Sequence, residues 1–162
     1  MKRNAKIVMI AMFANEAPVL RRMLDSTLGY CDYYVMQNNL NGEIYICEEG
    51  WKGFGWNRDH LIRYCQQVDH GCDWILKMDC DEILEVDEDF DWSPLDDHTV
   101  PGFHIAAVAG STVYYRCWMW NATMPWGFNH DPCHETIYHQ EWGENFQRVD
   151  LPQGIRQIGL NE

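Results

Sequence analysis

The stretch Trp74-Ile75-Leu76-Lys77-Met78-Asp79-Cys80-Asp81-Glu82 decides the fold. Its first five residues read as a strand covered on both faces, and they run without a turn signal into a cluster of carboxylates. Upstream, residues 7–13 are continuously apolar, a second strand of the same kind. Pro18 follows where a first helical turn tolerates it, with Leu20, Leu24 and Leu28 beside Val19 and Met23 forming an apolar stripe that Gly29 ends. Residues 33–36 and 44–47 read as short strands separated by the turn-rich Asn38-Asn39-Leu40-Asn41-Gly42. Residues 56–68 read as a helix through Leu61, Ile62, Cys65 and Val68, stopped at His70-Gly71. Strands alternating with helices predict an α/β fold with a mostly parallel central sheet, and its ligands belong at the carboxyl ends of the strands. Downstream, residues 103–108 and 112–120 predict an antiparallel pair joined through Ala109-Gly110-Ser111. From Asn121 onward the text is loop-like, with one last strand near residues 155–158.

The chain of 162 residues is the size of one domain, divided here into residues 1–82 and a smaller antiparallel part over 83–162. Its 46% hydrophobic and 23% charged residues exclude a disordered or low-complexity chain. A net charge of −13 repels a phosphate backbone, so nucleic acid is excluded as a partner unless a metal intervenes. Seven Cys with no CxxC pair point to a reducing compartment. Lys2, Arg3 and Lys6 before the apolar run imitate a signal peptide, but the run is short and ends in Asn15-Glu16. No stretch approaches the ~20 apolar residues of a membrane span. A cytoplasmic protein is the expectation.

Asp79 and Asp81 stand two apart, so on an extended segment both carboxylates project to one side and can share a hard cation such as Mg²⁺ or Mn²⁺. Asp87, Asp89 and Asp91 repeat the spacing and read as a solvated run. His130 and His134 have helical zinc-ligand spacing, which Pro132 disfavours. Trp118, Trp120 and Trp126 are read either as sugar-stacking platforms or as core. Cys80, surrounded by carboxylates, is a poor nucleophile and reads as filler.

The strand with its D-x-D-E, the opening Ile7 to Glu16, the segment Trp51-Lys52-Gly53-Phe54-Gly55-Trp56-Asn57-Arg58-Asp59 and the late His134-Glu135 together resemble glycosyltransferase family 2, of GT-A fold. The resemblance implies an inverting, hexosyltransferase-like enzyme. It would carry a sugar from a nucleotide-diphosphate donor to a saccharide, lipid-linked or protein acceptor, with Mn²⁺ or Mg²⁺ on the diphosphate. It makes Asp81 the metal ligand, with Asp79 on the donor ribose or the metal's water, Glu82 in support and His134 completing the metal site. Glu135 becomes the general base and Asp131 its alternate. Arg58 faces the donor phosphates; its competing reading is an exposed helix residue paired with a neighbouring acid. Phe13, Asn15 and Glu16 cradle the nucleobase, and Asn38 stands where relatives often carry Asp. Two departures mark the chain: a helix is lacking between Asn38 and Trp51, and few residues follow Glu135, so a partner domain is expected to complete the acceptor side. Two other readings are a metal-dependent phosphoryl-transfer or hydrolytic enzyme holding ions at Asp79, Asp81 and Glu135, and a non-catalytic carbohydrate- or cation-binding module.

Overall fold

A computed structural model describes residues 3–13, 17–38, 52–131 and 135–159, with Ala17 and Asn38 described in their backbone alone. The elements are β1 (Ile7–Phe13), α1 (Ala17–Thr27), β2 (Tyr33–Asn38), α2 (Phe54–Gln67), β3 (Trp74–Asp79), β4 (Glu82–Val86), β5 (Gly102–Ala109), β6 (Thr112–Asn121), β7 (Trp126–Phe128), β8 (Ile137–His139), β9 (Arg148–Asp150) and β10 (Ile155–Gly159). The strand expected at 44–47 lies outside the described residues.

The main sheet runs β2-β1-β3-β6-β5-β10-β4, with β9 alongside β5, and β7 and β8 form a separate antiparallel pair. Only β2, β1 and β3 make the expected parallel block. Beyond β3 the sheet is mixed: β6 is antiparallel to β3 and β5, β10 is parallel to β5, and β4 is antiparallel to β10. The expectation of a mostly parallel sheet is therefore corrected to a mixed, curled one. The reason lies in the connections. A parallel neighbour needs a long crossover, whereas β5 and β6 are joined by a two-residue turn that forces them antiparallel.

Continuous apolar text in β1 and β3 reflects cover on both faces. Ile7, Met9 and Ala11 face one core with Met23 of α1, Trp74, Leu76, Phe103 and Leu84. Val8 and Ile10 face a second core with Leu61, Ile62 and Cys65 of α2, Trp120 and Trp126. The run that imitates a signal peptide is thus a central strand. Leu20 and Leu24 pack on the first core, whereas Leu28, past the end of α1, is exposed.

Two features curl the sheet. Leu84 donates its backbone N–H to Ser26 Oγ at 3.0 Å, docking β4 against α1. Gln157 of β10, wholly buried, donates from Nε2 to the Lys77 carbonyl at 2.7 Å, where β6 has already parted from β3. The second brings β10 back toward the carboxyl end of β3. No helix among the described residues is long and apolar enough to cross a membrane.

Candidate functional site

Register places the sequence candidates at one edge of the parallel block. Asp79 lies level with Met12 of β1, and Met12 lies level with Gln37 of β2; Phe13 and Asn38 pair one residue further on. This is the carboxyl edge where open α/β sheets bind ligands.

Asp79 ends β3 and is the hub. Its Oδ1 accepts from Lys77 Nζ at 2.8 Å and from Arg58 at 3.1 Å. Arg58 sits in the first turns of α2, is only 12% exposed, and also ion-pairs with Glu135, so the exposed-helix reading of Arg58 is excluded. The helix reaches this position because Gly55 packs against the backbone of residues 129–131: a Cβ there would strike the Asn129 carbonyl and lie 3.0 Å from His130 Cα. Asp59, one turn further, accepts the Phe128 N–H at 2.8 Å and the Arg63 Nε–H at 2.7 Å, fixing α2 to β7.

Around this hub stand three residues that the sequence reading left without a role. Lys77 is 3% exposed, with apolar residues on either side of it in β3. Arg116 of β6 ion-pairs with Glu82, whose other oxygen accepts the Asp79 N–H at 3.1 Å. Gln157 offers its Oε1 to Arg116 at 3.4 Å. Trp118 joins them, with Lys77 Nζ 3.2 Å and Arg116 Cζ 3.3 Å from its ring centroid, both in cation–π contact. Trp120 and Trp126 are fully buried core residues, so of the three candidate stacking tryptophans only Trp118 reaches the site. The signal for Lys77 was in the text: a cation inside a two-sided strand must find a buried carboxylate.

The three cations Arg58, Lys77 and Arg116 meet the three carboxylates Asp79, Glu82 and Glu135, and their protonation follows that balance. Burial pushes the Lys77 ammonium down to about 7, against the pull of Asp79. Burial also raises the Asp79 carboxyl, but the charges of Lys77 and Arg58 outweigh it and hold the group below its ordinary range. Glu82 is raised, first by burial and then by Asp79, with Arg116 opposing. Arg58 is lowered by burial, with Asp79 opposing.

Asp81 does not share an extended segment with Asp79. β3 ends at Asp79, Cys80 and Asp81 form the turn into β4, and Asp81 is exposed while Asp79 is mostly withdrawn. The turn replaces the strand because the next strand begins at Glu82 and lies across the curl rather than ahead. Among the described residues no three His, Cys, Asp or Glu side chains converge as a metal cage. A Mg²⁺-like ion needs only one or two protein carboxylates when substrate phosphates supply the rest, and Asp81 is exposed in the turn that directly follows Asp79. His134, Asn15 and Glu16 lie outside the described residues, as does the side chain of Asn38. Asp131 is exposed on the loop against which Gly55 packs. Asp87, Asp89 and Asp91 are exposed, as the solvated reading requires, and Cys80 is buried.

Comparison with protein-family models and with curated protein sequences finds no match for this chain.

Proposed function

We propose that the chain is a nucleotide-sugar-dependent glycosyltransferase of GT-A type, moving a sugar with inversion from a nucleoside-diphosphate donor to an acceptor hydroxyl. One observation carries this reading. Arg58, Asp79 and Glu135, from three segments far apart in sequence, meet in one ion-paired cluster at the carboxyl edge of β1 and β3.

In the reaction, the acceptor oxygen attacks the anomeric carbon as the bond from that carbon to the phosphate oxygen breaks. The nucleoside diphosphate leaves, and Glu135 takes the hydroxyl proton. Glu135 is Arg58's partner before substrate arrives, so a donor phosphate that recruits Arg58 frees the carboxylate at the moment it is needed. Asp79, held by Lys77 and Arg58, stays ionised and orients the donor ribose. Phe13 and Asn38, level at the ends of β1 and β2, flank the base. Asp81, with Asp79, would hold a divalent cation, and neutralising the leaving diphosphate is the chemistry that such an ion supplies when bound. The charge balance supports its use, because Arg58, Lys77 and Arg116 are already matched by carboxylates in a chain of net charge −13.

The test is turnover of a panel of nucleotide sugars with Mn²⁺, following release of nucleoside diphosphate. Glu135→Gln is expected to keep donor affinity within a few-fold and lose roughly 10²-fold or more in kcat. Unchanged turnover in that variant removes Glu135 as the base.

A further inference from the structure

The distal half of β6 has lost the in-out alternation of a strand in a finished sheet. Thr112, Val113, Tyr114 and Tyr115 are all exposed, the last three at 57%, 42% and 55%. Val113 and Tyr115 share a face with Val108 and Ala106 of β5, and Tyr114 lies on the other face with Ala107. The Val113 and Tyr115 face is therefore open, and on the other face Tyr114 stays 42% exposed although Ala107 beside it is buried. Among the described residues one edge is open too: β5 pairs with β6 along its whole length, whereas β3 pairs with Met119, Trp120 and Asn121 alone. Among the described residues no strand meets β6 from 112 to 118 on that side. Exposed edges in soluble proteins are usually blunted by Lys, Pro or an inward charge. Here residues 105–115 contain no Lys, Arg, His, Asp, Glu or Pro.

We propose that this edge pairs with β6 of a second copy of the chain, antiparallel and about a two-fold axis through Tyr114. Two arguments select a second copy. A two-fold at Tyr114 sets Val113 opposite Tyr115 of the other copy and Thr112 opposite Arg116, so aliphatic meets aromatic and no like charges face each other. Chains of net charge −13 also repel over most of their surface, and an uncharged hairpin is where two of them approach at least electrostatic cost. The same register carries the second copy's Gly110 and Ser111 turn level with Cys117 and Trp118. That turn then walls the cluster of Lys77, Arg116 and Trp118 from the side on which β3 has departed. The pairing is independent of the reaction the site performs.

Sedimentation velocity on the full chain, from about 1 to about 100 µM, is expected to show a monomer–dimer equilibrium, strengthened by added salt because screening relieves the repulsion between copies. The pair Val113→Lys and Tyr115→Lys is expected to weaken the dimer roughly tenfold or more even though it lowers the net negative charge. Val113→Thr with Tyr115→Thr, which keeps strand propensity, gives a smaller loss in the same direction. Tyr114→Cys reads the register, since on the axis the two Cα atoms stand about 4.5–5.5 Å apart, within disulfide reach. Mild oxidation should give a covalent dimer that wild type does not form. A wild-type chain monomeric throughout, a dimer indifferent to both double substitutions, or no cross-link at Tyr114 overturns the proposal.

Discussion

The two halves of the main sheet are built by different means. In the block β2-β1-β3 each central strand is sealed on both faces, by α1 with the curled-over strands on one side and by α2 with β7 on the other. In the block β6-β5-β10-β4 one face is core, while on the other Val113, Val108, Ile158 and Ile83 lie level across four strands with none fully buried. Helical cover makes the first block rigid enough to hold a charged cluster at its edge. In the second block α1 packs against β4, but the apolar residues of the outer face stay partly exposed and bear little of the folding energy.

The sharpest way to break that contrast is by truncation. Trp74→Ala removes a fully buried ring that donates to the Leu95 carbonyl at 2.8 Å and packs on Phe103, and it is expected to cost about 3–5 kcal/mol in denaturant unfolding. Gly127→Ala probes the α2 side, where a new Cβ would stand 2.7 Å from the Tyr138 ring and 2.9 Å from Asp59 Oδ1; about 1–3 kcal/mol is expected. Lys77→Met tests the cluster through pH. Between about 7 and the unfolded value of 10.5 the unfolded chain holds a proton that folded Lys77 has released. Wild-type stability, measured against the Met variant, should therefore rise with pH across that window, by at most ~1.4 kcal/mol per unit, and the difference should flatten below it. Val113→Ala in the uncovered block, measured on dilute monomer, is expected to change stability by about 0.5 kcal/mol or less.

The same contrast explains what could be read from the sequence. β1 and β3 were legible because cover on both faces demands unbroken apolar text, and the β5–β6 pair because Ala109-Gly110-Ser111 marks its turn. β4 was not, since Glu82-Ile83-Leu84-Glu85-Val86 starts inside the acidic motif and satisfies a strand's needs with only Leu84 in the core. β7, β8 and β9 are three residues each, too short for a period to show. Strand order was illegible for another reason: the entry of β10 between β5 and β4 depends on tertiary pairing that no local pattern encodes. At the site, Asp79 was singled out by its place after β3 and Arg58 by the family resemblance, and the structure pairs the two. Arg116 and Gln157 were not, because each acts across the curl on a residue remote in sequence. The extended segment expected to carry Asp79 and Asp81 is instead a two-residue turn after Asp79, which spacing alone does not distinguish from extended chain.

The central claim is that the covered block presents a nucleoside-diphosphate site at the carboxyl edge of β1 and β3. Its most direct test is calorimetric titration of UDP, GDP, CDP and TDP into wild type, Asp81→Ala and Arg58→Ala, with and without Mn²⁺. The account predicts that wild type binds one of the four in the presence of Mn²⁺, that Asp81→Ala loses the metal-dependent part, and that Arg58→Ala loses binding with or without it. Folded wild type that binds none of the four, or binding indifferent to Arg58, would contradict it.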